Sequence, residues 1–345
     1  MLFASRPRSR RVATSLLTLV VGATALAGCV SRESDTGSAA APSAVDASRL
    51  SSVTLNVGDQ KGGTQALLEA SGQLTGTPYR VSFSTFTSGP PQVEAATAGR
   101  IDFAVTGNTP PIFGAAANAR IKVVSAYTND ASGDQILVPK TSTARSVADL
   151  RGKRIAFGKG SSAHGHLLLQ LTKAGLTPAD VQLVPLQPAD ALTAFTAGQV
   201  DAWAIWDPFT ALAQQQTGAR TLTTAQGVAN GYGFGIAAQQ ALDDPAKNTA
   251  LADFVSRLAK ASAWAQAHPE EWSAKYSAAV KIDPVAGEEA QRRSLRPAIP
   301  LDRTVIDSEQ TLYDAFVAAK QIPAGKPFSD FVDTRFDATV KAATR

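Results

Sequence analysis

Cysteine occurs once in the 345 residues, at Cys29. No intramolecular disulfide can therefore hold the chain, and its fold must rest on its own core. Histidine is nearly as scarce, with His164, His166 and His268 the whole set. The first two stand two positions apart with no third ligand nearby, and His268 precedes Pro269 as a surface residue would, so zinc is not expected. Lysine and arginine form no run that would track a nucleic acid. Enzyme motifs are missing too. Gly158-Lys159-Gly160 lacks the Lys-Ser/Thr step of a phosphate loop, and Gly231-Tyr232-Gly233-Phe234-Gly235 has the wrong spacing for a dinucleotide fingerprint. There is no Gly-x-Ser-x-Gly elbow and no obvious acid/base pair. Binding without chemistry, and without a cofactor, is the economical reading.

What is present begins at the N-terminus. Arg6, Arg8, Arg10 and Arg11, with no acid among them, precede the mostly apolar run Val12 to Ala27. A membrane span needs about 20 apolar residues. The shorter run reads as a cleaved export signal over residues 1–28. Leu26-Ala27-Gly28-Cys29 resembles the bacterial lipoprotein box, in which the cysteine becomes the first mature residue and carries lipid. Ser9-Arg10-Arg11 followed by Ala13 matches a twin-arginine signal only in part, which leaves the export route open. Removing residues 1–28 takes four arginines from 33 basic and 29 acidic residues, so the mature chain has zero formal net charge. Residues 29–52, rich in Ser and Ala, read as a flexible tether, with the folded part starting near Val53.

The remainder is longer than one core usually serves, and an internal repeat divides it. Val53 to Val57 alternates like a half-buried strand and runs into Lys61-Gly62-Gly63-Thr64; Lys153 to Phe157 does the same before Lys159-Gly160-Ser161-Ser162. Thr97-Ala98-Gly99 and the strand from Ile101 to Val105 recur as Thr196-Ala197-Gly198 and the strand from Val200 to Trp206. Further strands are expected at 79–83, 121–127, 135–138, 181–186 and 234–238. Short strands alternating with helices imply an α/β fold of two lobes, each a mostly parallel sheet flanked by helices, with a ligand cleft between them. The expected division is 53–136 for the first part of lobe I, 137–235 for lobe II and 236–345 for the remainder of lobe I. That last segment is helical, with Leu251, Phe254, Leu258 and Trp264 at core spacing, followed by Trp272 and Tyr276.

In such sheets ligands bind beyond the carboxyl ends of the strands, where helix N-termini expose N–H groups. The candidate loops Lys61 to Thr64, Ser88 to Pro90, Thr106 to Asn108 and Gly160 to Ser162 all carry glycine or small hydroxyl residues. Glycine permits close approach and hydroxyls add short donors. Any one loop alone reads as a helix cap; together they favour a small anion.

These same residues resemble the aliphatic sulfonate-binding proteins of ABC importers, a branch of the type II periplasmic binding-protein fold. The resemblance is carried by Gln60-Lys61-Gly62, by Ser88 to Asn118, by Ile155 to Leu171, and most specifically by VDAWAIWDP at Val200 to Pro208. It implies a hinged, lipid-anchored, monomeric receptor on the extracytoplasmic face of the membrane or in the periplasm, which delivers its ligand to an ABC permease. The anionic head would be held at Gln60, Gly62, Gly89, Thr106, Gly107, Ser161, Ser162 and His164, with Trp206 and Asp207 lining lobe II. Three positions depart from the family pattern: Asp59, Gly63, and Asn108, which joins the candidate set as the residue following Thr-Gly. Asp207 reads equally as the cap of the helix after Pro208. Asp59 and Asp207 would suit a ligand with a distal amine or hydroxyl. Lys61, Lys159, Arg293 and Arg296 are expected to face solvent. Taurine, nitrate, a sulfate ester or a pyrimidine precursor are alternative ligands, and an extracytoplasmic enzyme or sensor is the alternative class.

Overall fold

The computed structural model describes residues 41–61 and 63–344. Cys29, the expected signal segment and Gly62 lie outside the described residues. The chain packs earlier than its composition suggests. The Val45 amide donates to Thr249 Oγ1 at 3.1 Å, and the short helix α1 (Ala47–Leu50) buries Leu50. The expected tether therefore ends before residue 52, because Leu50 and Val45 find apolar surface to cover.

Lobe I starts with β1 (Thr54–Gln60), α2 (Gly63–Ala70), β2 (Arg80–Phe86), α3 (Gly89–Thr97), β3 (Phe103–Gly107), α4 (Thr109–Ala116) and β4 (Ile121–Thr128). Lobe II follows as β5 (Gln135–Val138), β6 (Arg154–Phe157), α5 (Ser162–Lys173), β7 (Gln182–Pro185), α6 (Pro188–Thr196), β8 (Ala202–Ile205), α7 (Phe209–Thr217) and β9 (Arg220–Thr224). The chain returns through β10 (Tyr232–Ala238), then α8 (Gln239–Asp243), α9 (Pro245–Ala267), α10 (Pro269–Val280), α11 (Pro284–Ser294), β11 (Ala298–Ile299), α12 (Arg303–Ala318) and α13 (Asp337–Ala343). The expected breaks at 136/137 and 235/236 fall inside β5 and β10. Ladder bonds decide this: Gln135 pairs with Ile205, and Tyr232 with Thr128. The crossings between lobes are residues 129–134 and 225–231.

The repeat read from sequence is a repeat of topology. The sheet of lobe I runs β2-β1-β3-β10-β4, with β11 on its edge; that of lobe II runs β7-β6-β8-β5-β9. In each, the first three strands are parallel, and an antiparallel strand, β10 or β5, separates the third from the fifth. A side-chain-to-backbone hydrogen bond repeats as well. Asp102 accepts from the Asn56 amide at 2.8 Å and Asp201 from the Arg154 amide at 2.8 Å. Each aspartate precedes the strand beside the amide it holds, so the same local geometry fixes the register of both sheets.

The two sheets have separate cores. Leu55, Val57, Phe103, Phe234 and Phe254 centre one, and Ile136, Leu137, Ile155 and Trp203 the other. A smaller cluster of Ala66, Ala265, Trp272 and Tyr276 joins α2, α9 and α10. Another, around Leu212 and Ala290, fastens α11 to α7 of lobe II. The hairpin of α10 and α11 thus spans both lobes at one end of the cleft.

Candidate functional site

The carboxyl ends of β1, β3, β6 and β8 converge on a cavity of about 190 Å³ between the lobes. The two sides touch. Thr87 Oγ1 and Ser88 Oγ each donate to Gln187 Oε1 at 3.1 Å across the cleft. A Cβ on Gly107 would lie 3.0 Å from Ser162 Cβ, and one on Gly89 would lie 2.5 Å from Pro110 Cγ. Glycine lets α3 crowd against α4 at Gly89 and brings β3 close to α5 at Gly107.

The helix ends around the cavity are not alike. At α2, buried Asp59 accepts from the Thr64 and Gln65 amides at 2.8 and 3.2 Å. At α7, Asp207 Oδ1 accepts from the Ala211 amide at 3.1 Å. Those ends already face a carboxylate. By contrast, no side chain among the described residues caps α3 or α5. Ser88 Oγ is spent on Gln187, Ser161 Oγ donates to the Gly158 carbonyl at 2.7 Å, and Ser162 Oγ donates to Asp134 Oδ1 at 2.7 Å. Thr106 Oγ1 likewise donates to the Gly107 carbonyl at 3.0 Å. The hydroxyls expected to donate to a ligand are thus committed to protein acceptors.

Two arginines supply the surprise in charge. Arg293 forms two bonds to Asp207, at 2.8 and 2.9 Å, with both side chains buried. Burial raises the Asp207 carboxyl above the usual range, against the pull of Arg293 and the Ala211 amide. Arg296 lines the cavity, and its buried Nε has no hydrogen-bond partner among the described residues. Beside it burial pushes the Asp134 carboxyl up, while Arg296 and Ser162 draw it down. Neither arginine is the solvated residue that the sequence suggested, since each contributes to the cleft. Lys61 also faces inward, with Nζ 5.2 Å from the centre of the Phe209 ring and the residue lining the cavity. Lys159 is exposed.

Of the residues expected at the site, Gln60, Gly89, Thr106 and Gly107 line the cavity from lobe I. Ser161, Ser162, Trp206 and Asp207 do so from lobe II. His164 does not. It packs among Phe113, Phe157 and Phe316 at centroid distances of 5.5, 4.7 and 5.0 Å, and its Nδ1 accepts from the Gly160 amide at 3.2 Å. Burial depresses its pKa to about 4, so it is a neutral ring supporting the loop. Asn108 also stands aside from the main cavity. It donates to Asn230 Oδ1 at 2.9 Å, at the return crossing between lobes. Nor do the two carboxylates await a distal amine: Asp207 is held by Arg293, and Asp59 by the α2 amides. Sequence reasoning missed Arg296, Leu258, Trp272 and Tyr276 as cavity walls. Locally, Arg296 looks like its exposed neighbour Arg292, and only packing separates them.

This architecture has close counterparts. The profile of the NMT1/THI5 like family matches residues 87–272. The chain is 35% identical over 274 residues to an Escherichia coli (strain K12) protein that carries the name of aliphatic sulfonates-binding protein, covering 78% of this chain and 85% of that one. Among solved structures, the alkanesulfonate-binding protein SsuA from Xanthomonas axonopodis pv. citri bound to MOPS superposes with a TM-score of 0.76 at 32% identity. The match covers 81% of this chain and 98% of that one. The periplasmic aliphatic sulphonate binding protein SsuA from Escherichia coli gives 0.71 at 31% identity, over 81% and 92%. The chain therefore belongs to the NMT1/THI5 like family and has the two-lobed fold of the SsuA proteins.

Proposed function

We propose that this protein is an extracytoplasmic, lipid-anchored receptor that captures organic sulfonates and delivers them to an ABC permease. The names of its relatives support the ligand class. The observation that carries the reading is a polar end of the cleft where α5 lacks a side-chain cap, α3 adds the amide N–H of Gly89 ahead of Pro90 and Pro91, which have none, and Arg296 offers an unpartnered buried N–H. Helix N-termini favour anions. A sulfonate brings three oxygens and one negative charge, which such donors match without any proton transfer. Asp207 is balanced by Arg293 and adds no uncompensated repulsion. No pair of groups here is arranged for acid/base work on a bound ligand, so capture and release is the chemistry that fits.

Calorimetry on the purified protein tests this. Ethanesulfonate should bind better than propionate, whose head has only two oxygens. A hydrogen bond to a charged group contributes about 1.5–3 kcal/mol, so Arg296→Gln should weaken sulfonate binding roughly tenfold to a hundredfold. Equal affinity for the two heads, an unaltered affinity in the variant, or turnover of a bound ligand would each remove the reading. Tighter binding of nitrate or of a sulfate ester would assign the site to that anion instead.

A further inference from the structure

We propose that the sulfonate captured here carries an aromatic ring, so that the cleft prefers arylsulfonates to short alkanesulfonates and to taurine. This rests on the sulfonate reading and specifies the other end of the ligand. The cavity is also lined by Leu67, Leu258, Trp272, Tyr276 and Leu295, with the small hydroxyls of Ser262 and Ser294 among them. From lobe II, Trp206 and Phe209 close the same space. The aromatic residues form two pairs, one in lobe II and one on α10. Trp206 and Phe209 meet edge to face at 6.2 Å, and Trp272 and Tyr276 lie 5.5 Å apart.

Volume and hydrogen bonding select among substituents. An apolar cavity of about 150 Å³ suffices for benzene, so a cavity of about 190 Å³ has room for a six-membered ring. A two-carbon chain leaves the apolar end unfilled. A distal ammonium, as in taurine, finds no unengaged carboxylate, because Asp207 is bonded to Arg293 and Asp59 to the α2 amides. The indole N–H of Trp272 is spent on Gln291 Oε1 at 2.8 Å, which leaves its ring as apolar wall. A long flexible alkyl chain could fill the same space, but ordering it costs rotamer freedom that a rigid ring does not lose. A ring also gains edge and face contacts with the aromatic pairs beyond its buried area.

The test is calorimetry with benzenesulfonate, hexanesulfonate, ethanesulfonate and taurine on the purified protein, its Trp272→Leu variant and its Phe209→Leu variant. Phe209 is half-buried at the cleft, so its variant provides a folded protein if loss of Trp272 disrupts α10. Benzenesulfonate should bind at least tenfold more tightly than ethanesulfonate and more tightly than hexanesulfonate, with taurine weakest. Each folded variant should lose more affinity for benzenesulfonate than for ethanesulfonate. Ethanesulfonate, hexanesulfonate or taurine binding as tightly as benzenesulfonate overturns the inference and leaves the sulfonate reading standing; so does an equal loss for both ligands in the variants. If no sulfonate binds while benzoate or nitrate does, the sulfonate reading itself fails.

Discussion

Arg293 lies in the last turn of α11 and Arg296 just past its end, where the backbone is extended, and their surroundings give them different tasks. Arg293 neutralises Asp207, and breaking a buried pair from one side leaves the other charge stranded. Arg293→Met should therefore cost about 3–5 kcal/mol in urea unfolding, whereas Arg296→Gln, which removes a group with an unmet N–H, should alter affinity far more than stability. A loss under about 1 kcal/mol in Arg293→Met would mean that the pair is wetter than its geometry indicates. Glu309 makes a different point. It is fully buried on α12, Oε2 accepts from Asn230 Nδ2 at 3.0 Å, and Oε1 has no hydrogen-bond partner among the described residues. Burial pushes its carboxyl from 4.5 up to about 8. Between those values the folded chain keeps a proton that the unfolded chain has released, so stability falls as pH rises through the window and levels off above it. Glu309→Gln, which cannot titrate, should lack this component and gain over wild type, by a few kcal/mol in order of magnitude, as pH climbs from 5 to 8 (about three units of the window). Thermal unfolding of both proteins across that range checks it; a constant difference in Tm contradicts it.

The helices around the cleft divide by what meets their N-termini. Asp59 holds that of α2 and Asp207 that of α7, while α3 and α5 have no side-chain cap among the described residues. In the sequence the loops before α2, α3 and α5 look alike, as small-residue stretches, and only Asp207 before α7 already reads as a cap. The difference depends on whether a carboxylate from the preceding strand turns inward or a hydroxyl is drawn off to another acceptor. Ser162 illustrates this, because its proton goes to Asp134, 28 positions earlier in the chain. The meeting of β3 with α5 is equally demanding, since Gly107 has room for little more than hydrogen. Gly107→Val should hold these elements apart, raise the sulfonate Kd by about tenfold or more and leave a larger radius of gyration at saturating ligand than wild type shows. Scattering curves of variant and wild type that coincide with ligand, together with unaltered affinity, would mean that the lobes do not close through this contact.

Lobe I and lobe II bracket the cavity, and their duplicated topology makes the cleft a pseudo-symmetric place where strand ends from both sheets point inward. A lipid on Cys29 would hold the proposed receptor at the membrane. If Cys29 carries the lipid, Cys29→Ser should move the protein from the membrane fraction to the soluble one or leave the precursor unprocessed. A variant processed at the same site and still membrane-bound excludes the anchor. The α/β class, the two lobes, most strands and the position of the cleft were legible in the sequence because they rest on local rules: alternation in β1, glycine after α3 and α6, and an aspartate at the same step of each repeat. Gly89, Thr106, Gly107, Ser161 and Ser162 could be named at the cleft for the same reason, since strand ends carry their position with them, whereas Gln60 was named only through the family resemblance. Which of these groups has a proton to give, and which cations and rings complete the cavity, depended on the tertiary structure. Asp207 and Arg293 are 86 positions apart, α10 meets α2 from the far end of the chain, and His164 turned inward onto Phe316. Hydrogen-bond partners and burial at such separations follow from packing of whole elements, which no local pattern of residues encodes.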